Sequence, residues 1–226
     1  MIEIQGITKI YPPNIVALRD VQLSIKGGEF VSIVGQSGSG KTTLAKMLIA
    51  EEQPDEGKIL ISGWDITRIR RHEIPSLRRQ IGMVFQDFKL LPKKTAFENV
   101  AFALEVSGAS NEKIKNIVPQ VLKIVGLSDK TNRYPRQLSG GQQQRAAIAR
   151  ALVHRPKILI ADEPTGNLDS IHTKEIVELL LKINEFGTTV ILVTHNKEVV
   201  NSLKRRVISI DSGQILLDKE EGRYII

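Results

Sequence analysis

GEFVSIVGQSGSGKTTLAKMLIAEE, residues Gly28 to Glu52, is the stretch on which the fold turns. The apolar run EFVSIVG leads into Gly35-Gln36-Ser37-Gly38-Ser39-Gly40-Lys41-Thr42, and KTTLAKMLIAEE then has the look of a helix. The eight residues fit G-x-x-x-x-G-K-[ST], and strand before and helix after are the context that pattern requires. Glycines let backbone N–H groups curl around phosphate oxygens, and the helix N-terminus adds a favourable field. Lys41 can neutralise terminal phosphates and the Thr42 hydroxyl can ligate magnesium. The segment predicts an α/β fold built around a phosphate loop.

Outward from that loop, β-branched runs dominate both ends of the chain. IEIQGITKIY, VQLSIKGGEFVSIVG and GKILISG read as strands, with KGGE and PDEG as turns. KILIADEP, TTVILVTH and RVISIDSGQILL follow later, the last as a hairpin around Asp211-Ser212-Gly213. From about residue 88 to 155 the pattern turns helical, in FENVAFALEV, NEKIKNIVPQVLKIVG and the segment after LSGGQ, with Pro119 expected to start or kink the second. Apolar strands on either side of that block describe a parallel sheet with crossover helices and a helical insertion.

The strand ILIADEP delivers Asp162 and Glu163 to the sheet edge that carries the phosphate loop. Asp162 suits a magnesium ion held through water, and Glu163 is placed to polarise an attacking water. An acidic cap is the alternative for an isolated pair. TTVILVTH ends at His195, which could hydrogen-bond a γ-phosphate, and IGMVFQ ends at Gln86, which could reach magnesium and the water. Taken singly, a strand-end histidine or glutamine is as readily a structural hydrogen-bonder or a polar boundary. LSGGQQQR, Leu138 to Arg145, is a second glycine loop, and by itself reads as a turn with Ser139 capping the helix RAAIARALVH.

With 226 residues and 41% hydrophobic content, the chain can bury a substantial core as one α/β unit with an insertion. It has no cysteine, which excludes disulfides, thiolate zinc sites and thiol catalysis. The formal charge of +7 is spread through the chain, and 4% aromatics with no basic block among them argues against a nucleic-acid surface. No apolar stretch is long enough to span a bilayer and MIEIQGITKI carries no signal pattern, so a cytoplasmic chain is expected.

In order, GQSGSGKT, the Gln86 strand end, LSGGQ, ILIADEP, NLD and His195 resemble the motifs of ATP-binding subunits of ABC transporters, over essentially the whole chain. The resemblance implies a RecA-like core of P-loop NTPase type with an antiparallel β subdomain, at about residues 1–87 and 156–226, and an inserted α-helical subdomain at about 88–155. It implies ATP and Mg2+ as cofactors, with Tyr11 stacking on adenine and nucleotide contacts from Gly35, Gln36, Ser37, Gly38, Ser39, Gly40, Lys41, Thr42 and Thr43. Magnesium would fall to Thr42, Gln86 and Asp162, and catalysis to Glu163, His195 and Gln86. Ser139, Gly140, Gly141 and Gln142 would serve the ATP of an opposite subunit, making a homodimer the working form, and Asn167-Leu168-Asp169 would link the two subunits.

Within the family, VFQDFKLLPKKTAFENVAFALEV, ADEPTGNLD and the C-terminal EGRYII resemble the cell-division branch, although Gln142 stands where that branch usually carries Glu. That branch implies an FtsX-like integral membrane subunit, possible division-ring proteins as partners and regulation of cell-wall hydrolases. It also implies a peripheral position on the cytoplasmic membrane face at the septum. ADEPTGNLD is shared with lipoprotein-release and macrolide-export ATPases, which are the alternative.

Overall fold

A hairpin of β1 (Ile2–Tyr11) and β2 (Ile15–Ile25) opens the chain, and β3 (Phe30–Val34) follows it directly into the glycine loop and α1 (Lys41–Leu48). Strands β4 (Glu56–Ile61) and β5 (Trp64–Asp65) complete an antiparallel sheet of order β2-β1-β4-β5. After α2 (Ile74–Gln80) and β6 (Ile81–Val84) come three helices in succession, α3 (Ala96–Val106), α4 (Asn111–Ile124) and α5 (Gly140–Leu152). The chain then returns to a sheet through β7 (Ile158–Asp162), α6 (Ser170–Glu185), β8 (Thr189–Val193), α7 (Lys197–Leu203), β9 (Arg206–Asp211) and β10 (Gln214–Lys219). This computed structural model describes residues 1–224; Ile225 and Ile226, the end of EGRYII, lie outside the described residues.

The second sheet has the order β10-β9-β3-β8-β7-β6, and its five strands other than β10 run parallel. Every residue of β3, β7 and β8 is buried, as expected for central strands covered on both faces. In the first half of β1, by contrast, Ile2 and Ile4 are buried while Glu3 and Gln5 are exposed, the alternation of a strand with one wet face. Because the central strands share one direction, the residues that follow β3, β6, β7 and β8 all arrive at a single sheet edge. Full burial of each such Ile, Val or Leu side chain contributes about 1.5–3 kcal/mol, so the register that builds this edge is strongly fixed.

Three local features differ from the sequence expectation. Helix α1 stops at Leu48 and does not run to Glu52: Ala50 adopts φ 51°, its N–H donates to the Met47 carbonyl, and the Glu51 N–H donates to that of Lys46. This pair of bonds closes a helix C-terminus in a Schellman turn, with alanine in the place glycine usually takes. Pro119 does not start a helix; α4 runs continuously through it from a Ser110 cap whose hydroxyl accepts the Lys113 N–H at 3.3 Å. Burial of Ile114, Val118, Val121 and Leu122 outweighs the hydrogen bond that proline removes. Helix α2, seven residues with Pro75 in its first turn, had no counterpart in the periodicity.

Two side chains tie the helices to the sheet edge. Asn99, fully buried on α3, accepts the Leu91 N–H and donates to the carbonyls of Leu91, Lys94 and Thr95, fixing the loop ahead of its own helix. Arg150, near the end of α5, donates to the carbonyls of Phe88 and Lys89 at 2.9 and 2.6 Å. Those two residues have φ of 56° and 47°, a conformation that side-chain-bearing residues hold only when the surroundings over-determine it. The same α5 that begins at the second glycine loop therefore also holds the segment just after Gln86.

Candidate nucleotide site

Six sequence segments meet at the C-terminal edge of the parallel sheet. They line an open cavity of about 780 Å³ bordered by Tyr11, the loop residues Gln36, Ser37, Gly38 and Gly40, then Lys41, Thr42, Thr43, Gln86, Glu163 and His195. Gly35 and Ser39 of the loop are buried and do not line it. At Gly35 a side chain would run into the Ile210 carbonyl, and at Gly40, where φ is 105°, into that of Ala17. Gly38, at φ 81°, has nothing within 4 Å of where a Cβ would stand, so the loop is open at its crown. A cradle of this shape admits phosphate oxygens to the backbone amides.

Lys41 is 6% exposed, and its Nζ donates to the carbonyls of Gly35 and Gln36 at 2.8 and 2.7 Å. Burial lowers its pKa, while the charges of Glu163 and Asp162 act to raise it. Across the loop, Thr42 Oγ1 lies 3.4 Å from Asp162 Oδ1, the hydroxyl donating to the carboxylate. Burial holds the Asp162 carboxyl above the ordinary carboxylate range, and the neighbouring Glu163 charge adds to this. A hydroxyl and a single carboxylate, all oxygen, suit a hard cation such as magnesium that keeps waters and takes phosphate as a further ligand. Gln86 lies against Gly166, where an added Cβ would come 2.9 Å from its Nε2, and Asn167 Nδ2 donates to its carbonyl at 3.2 Å.

Glu163 sits in the left-handed region at φ 48°. Three bonds hold its carboxylate: Oε1 accepts the His195 N–H at 3.1 Å and faces His195 Nδ1 at 2.6 Å, and Oε2 accepts the Thr194 hydroxyl at 3.2 Å. Its side chain remains 15% exposed, toward the cavity. A histidine that donates from Nδ1 to Glu163 can also donate from Nε2 to a phosphate oxygen only as the imidazolium. Sequence reading missed Thr194, whose one signal was its place beside His195, and it missed Ile15, Val16, Ala17 and Tyr224, which also line the cavity.

The second glycine loop lies elsewhere. Ser139, Gly140, Gly141 and Gln142 are absent from this cavity, and they sit against residues 167–172: a Cβ on Gly140 would meet Leu168 at 3.2 Å, and one on Gly141 would meet the His172 ring at 2.5 Å. Ser139 and Gln142 form a reciprocal cap, Oγ accepting the Gln142 N–H at 3.3 Å and Oε1 accepting the Ser139 N–H at 3.1 Å. Asp169 caps α6 through the His172 N–H and also faces His172 Nδ1 at 2.7 Å. One chain thus carries a loop-lined phosphate cavity and, apart from it, a capped helix N-terminus of the kind that binds anions.

Residues 18–166 match the family model described as ABC transporter. The chain belongs to the ABC transporter family. Among similar proteins, the cell division ATP-binding protein FtsE of Bacillus subtilis (strain 168) is 52% identical over 224 residues, covering 99% of this ABC chain and 98% of that protein. The protein of the same name from Mycobacterium tuberculosis is 48% identical over 225 residues, covering 99% and 98%. A solved dimer of the ATP-binding cassette MJ0796, in a post-hydrolysis state bound to ADP and Pi, superposes with a TM-score of 0.89 at 39% identity, covering 99% of this chain and all of that one. The ABC fold expected from the motifs, a phosphate-loop α/β core with an antiparallel sheet and helices inserted between β6 and β7, is the fold observed.

Proposed function

We propose that the chain is the ATP-binding and ATP-hydrolysing subunit of an FtsEX-type ABC complex in bacterial cell division. The observation that carries the chemistry is the Glu163 carboxylate, fixed by Thr194 and His195 and facing the cavity that Lys41 and Thr42 line. Hydrolysis is an in-line attack of water on the γ-phosphate of ATP. Tyr11 stacks on the adenine, and the amides of residues 35–43 with Lys41 hold the phosphates. Glu163, its carboxylate held by His195 and Thr194, orients the water and takes its proton. Thr42, Asp162 and Gln86 would hold magnesium, which when bound neutralises charge on the phosphates.

Ser139, Gly140, Gly141 and Gln142 serve the ATP of a second copy of the chain. Their absence from the lining of the chain's own cavity supports this reading, because a two-fold pair can set the amides at this helix N-terminus against a phosphate held by the partner. Closure of the pair around two nucleotides is then a precondition of hydrolysis. The helices of residues 88–155 form the subdomain that carries this loop, with residues 1–87 and 156–226 as the core.

Membrane coupling runs through a groove of about 600 Å³ whose walls include Ile74 and Pro75 of α2, Phe102 and Val106 of α3, and Arg150 of α5. Phe102 and Val106 are 39% and 72% exposed there, apolar surface suited to a short helix from an FtsX-like integral membrane subunit. Among the described residues, no helix is long and apolar enough to cross a membrane. The chain is a peripheral subunit on the cytoplasmic face, at the septum, where division-ring proteins are further partners. Purification of the chain from detergent-solubilised membranes tests the assignment. An FtsX-like four-helix protein as the co-purifying integral subunit supports it; a lipoprotein-release or macrolide-export permease overturns it.

A further inference from the structure

The C-terminal tail does not end at β10. After Lys219 it turns back along the sheet: the Gly222 N–H donates to the Arg205 carbonyl at 3.2 Å, and a side chain at Gly222 would collide with Val207, 2.6 Å away. Close backbone packing there brings the next residues to α7 and then to the nucleotide cavity. The Tyr224 N–H donates to Asn201 Oδ1 on α7 at 2.9 Å, and Lys197 Nζ, also on α7, stands 5.2 Å from the centre of its ring. The ring packs on a cluster of Val34, Val200 and Val207. Val34 is the last residue before the phosphate loop and Val200 lies on α7, so one aromatic side chain packs on a cluster that joins the foot of the loop to α7.

We infer that Tyr224 is a positioning residue for hydrolysis: it braces α7 against the foot of the phosphate loop and so fixes the Thr194–Asn196 turn that holds the Glu163 carboxylate. The route is short. Asn196 caps α7 by accepting the Val199 N–H at 3.1 Å, and the Asn196 N–H donates back to Thr194 Oγ1, the hydroxyl that itself donates to Glu163. Helix α7 has only seven residues and cannot hold its own position by helical bonding. Anchoring from outside therefore sets the turn: Val199, Val200 and Leu203 bury α7 in the core, and Tyr224 adds its valine contacts and the bond to Asn201. Tyr224 lines the same cavity as Glu163 and His195, and burial together with the Glu163 charge raises its pKa, keeping the phenol protonated across the assay range.

This inference rests on the ATPase reading, and the test separates the two. Magnesium-dependent phosphate release is measured on the complex isolated from membranes for the wild type, Tyr224→Ala, Tyr224→Phe and Asn201→Ala. Absence of hydrolysis in the wild type would overturn the ATPase reading itself. Given wild-type hydrolysis, Tyr224→Ala should lower kcat by at least about tenfold at nearly unchanged KM, since misplacing a catalytic group by about 1 Å costs up to about 100-fold. Tyr224→Phe keeps the ring, its valine contacts and the Lys197 contact, and should recover most of kcat. Asn201→Ala frees the tail without entering the cavity and should lower kcat in the same direction, which keeps the inference testable if Tyr224→Ala fails to fold. Unchanged kcat in both alanine variants overturns the bracing role, and so does a Tyr224→Phe variant as impaired as Tyr224→Ala.

Discussion

Replacing Glu163 by glutamine removes a charge and a base while leaving the shape of the site. The wild-type carboxylate accepts three hydrogen bonds, two at Oε1 from His195 and one at Oε2 from Thr194. An amide can keep its oxygen at the Oε1 position, accepting the His195 N–H, and turn its NH2 toward the Thr194 oxygen, so folding stability should change little. Losing a positioned general base costs about 10²–10⁴ in rate, equivalent to about 3–5.5 kcal/mol of transition-state stabilisation at 1.36 kcal/mol per decade. Nucleotide binding should move the other way, because one negative charge is removed beside Asp162 and the γ-phosphate. The expected result is phosphate release reduced by at least about 100-fold, with ATP affinity equal to or tighter than wild type and an ATP-bound dimer accumulating on size exclusion. A residual rate within about tenfold of wild type would refute Glu163 as the base, since a general base contributes more than that.

Ser139→Arg places a guanidinium at the N-terminus of α5 and breaks the Ser139–Gln142 cap; hydrolysis should be lost while ATP affinity of the isolated chain, measured with a fluorescent nucleotide, stays within about twofold of wild type. Equal loss of binding would place the second glycine loop in the chain's own site. Asp162→Asn removes a buried charge that Glu163 repels and retains an acceptor for Thr42, so the nucleotide-free chain should melt at a higher temperature while magnesium-dependent hydrolysis falls. His154, whose Nε2 lies 3.1 Å from the Ala103 carbonyl, has its pKa lowered by burial from the ordinary 6.5. A depressed folded pKa means its contribution is present above 6.5 and lost as pH falls through the lower folded value. Denaturant midpoints should therefore fall on acidification in this window, and His154→Gln should flatten the dependence.

What was legible in the sequence was whatever two or three neighbouring residues decide. GQSGSGKT announced itself because a phosphate cradle needs glycine at fixed places, and the structure shows why at Gly35 and Gly40, where carbonyls of distant strands stand in the way of any Cβ. The parallel sheet was legible because β3, β7 and β8 are buried on both faces and so are apolar along most of their length, with Ser32, Asp162 and Thr189 the buried polar exceptions. From one sheet direction, the meeting of Lys41, Glu163 and His195 follows without further information. Helix α2 was not legible, because seven residues give too few turns for a period to emerge and only Leu77 is buried.

The less legible part of the site is the part made by contacts between segments far apart in the chain. Tyr224 reaches the cavity only because Gly222 lets the tail lie against Val207, and nothing in EGRYII itself states where the tail goes. The second glycine loop poses the same problem at larger scale. Its local reading as a capped helix start was correct, since Ser139 and Gln142 do cap α5. Yet the reciprocal cap uses two amides, those of Ser139 and Gln142, while the helix N-terminus keeps further N–H groups that have no carbonyl within their own helix. At an ordinary helix start, water satisfies those donors. Here the missing side chains of Gly140 and Gly141 let α5 settle against Leu168 and His172, which sets the second glycine loop against the segment that follows Glu163.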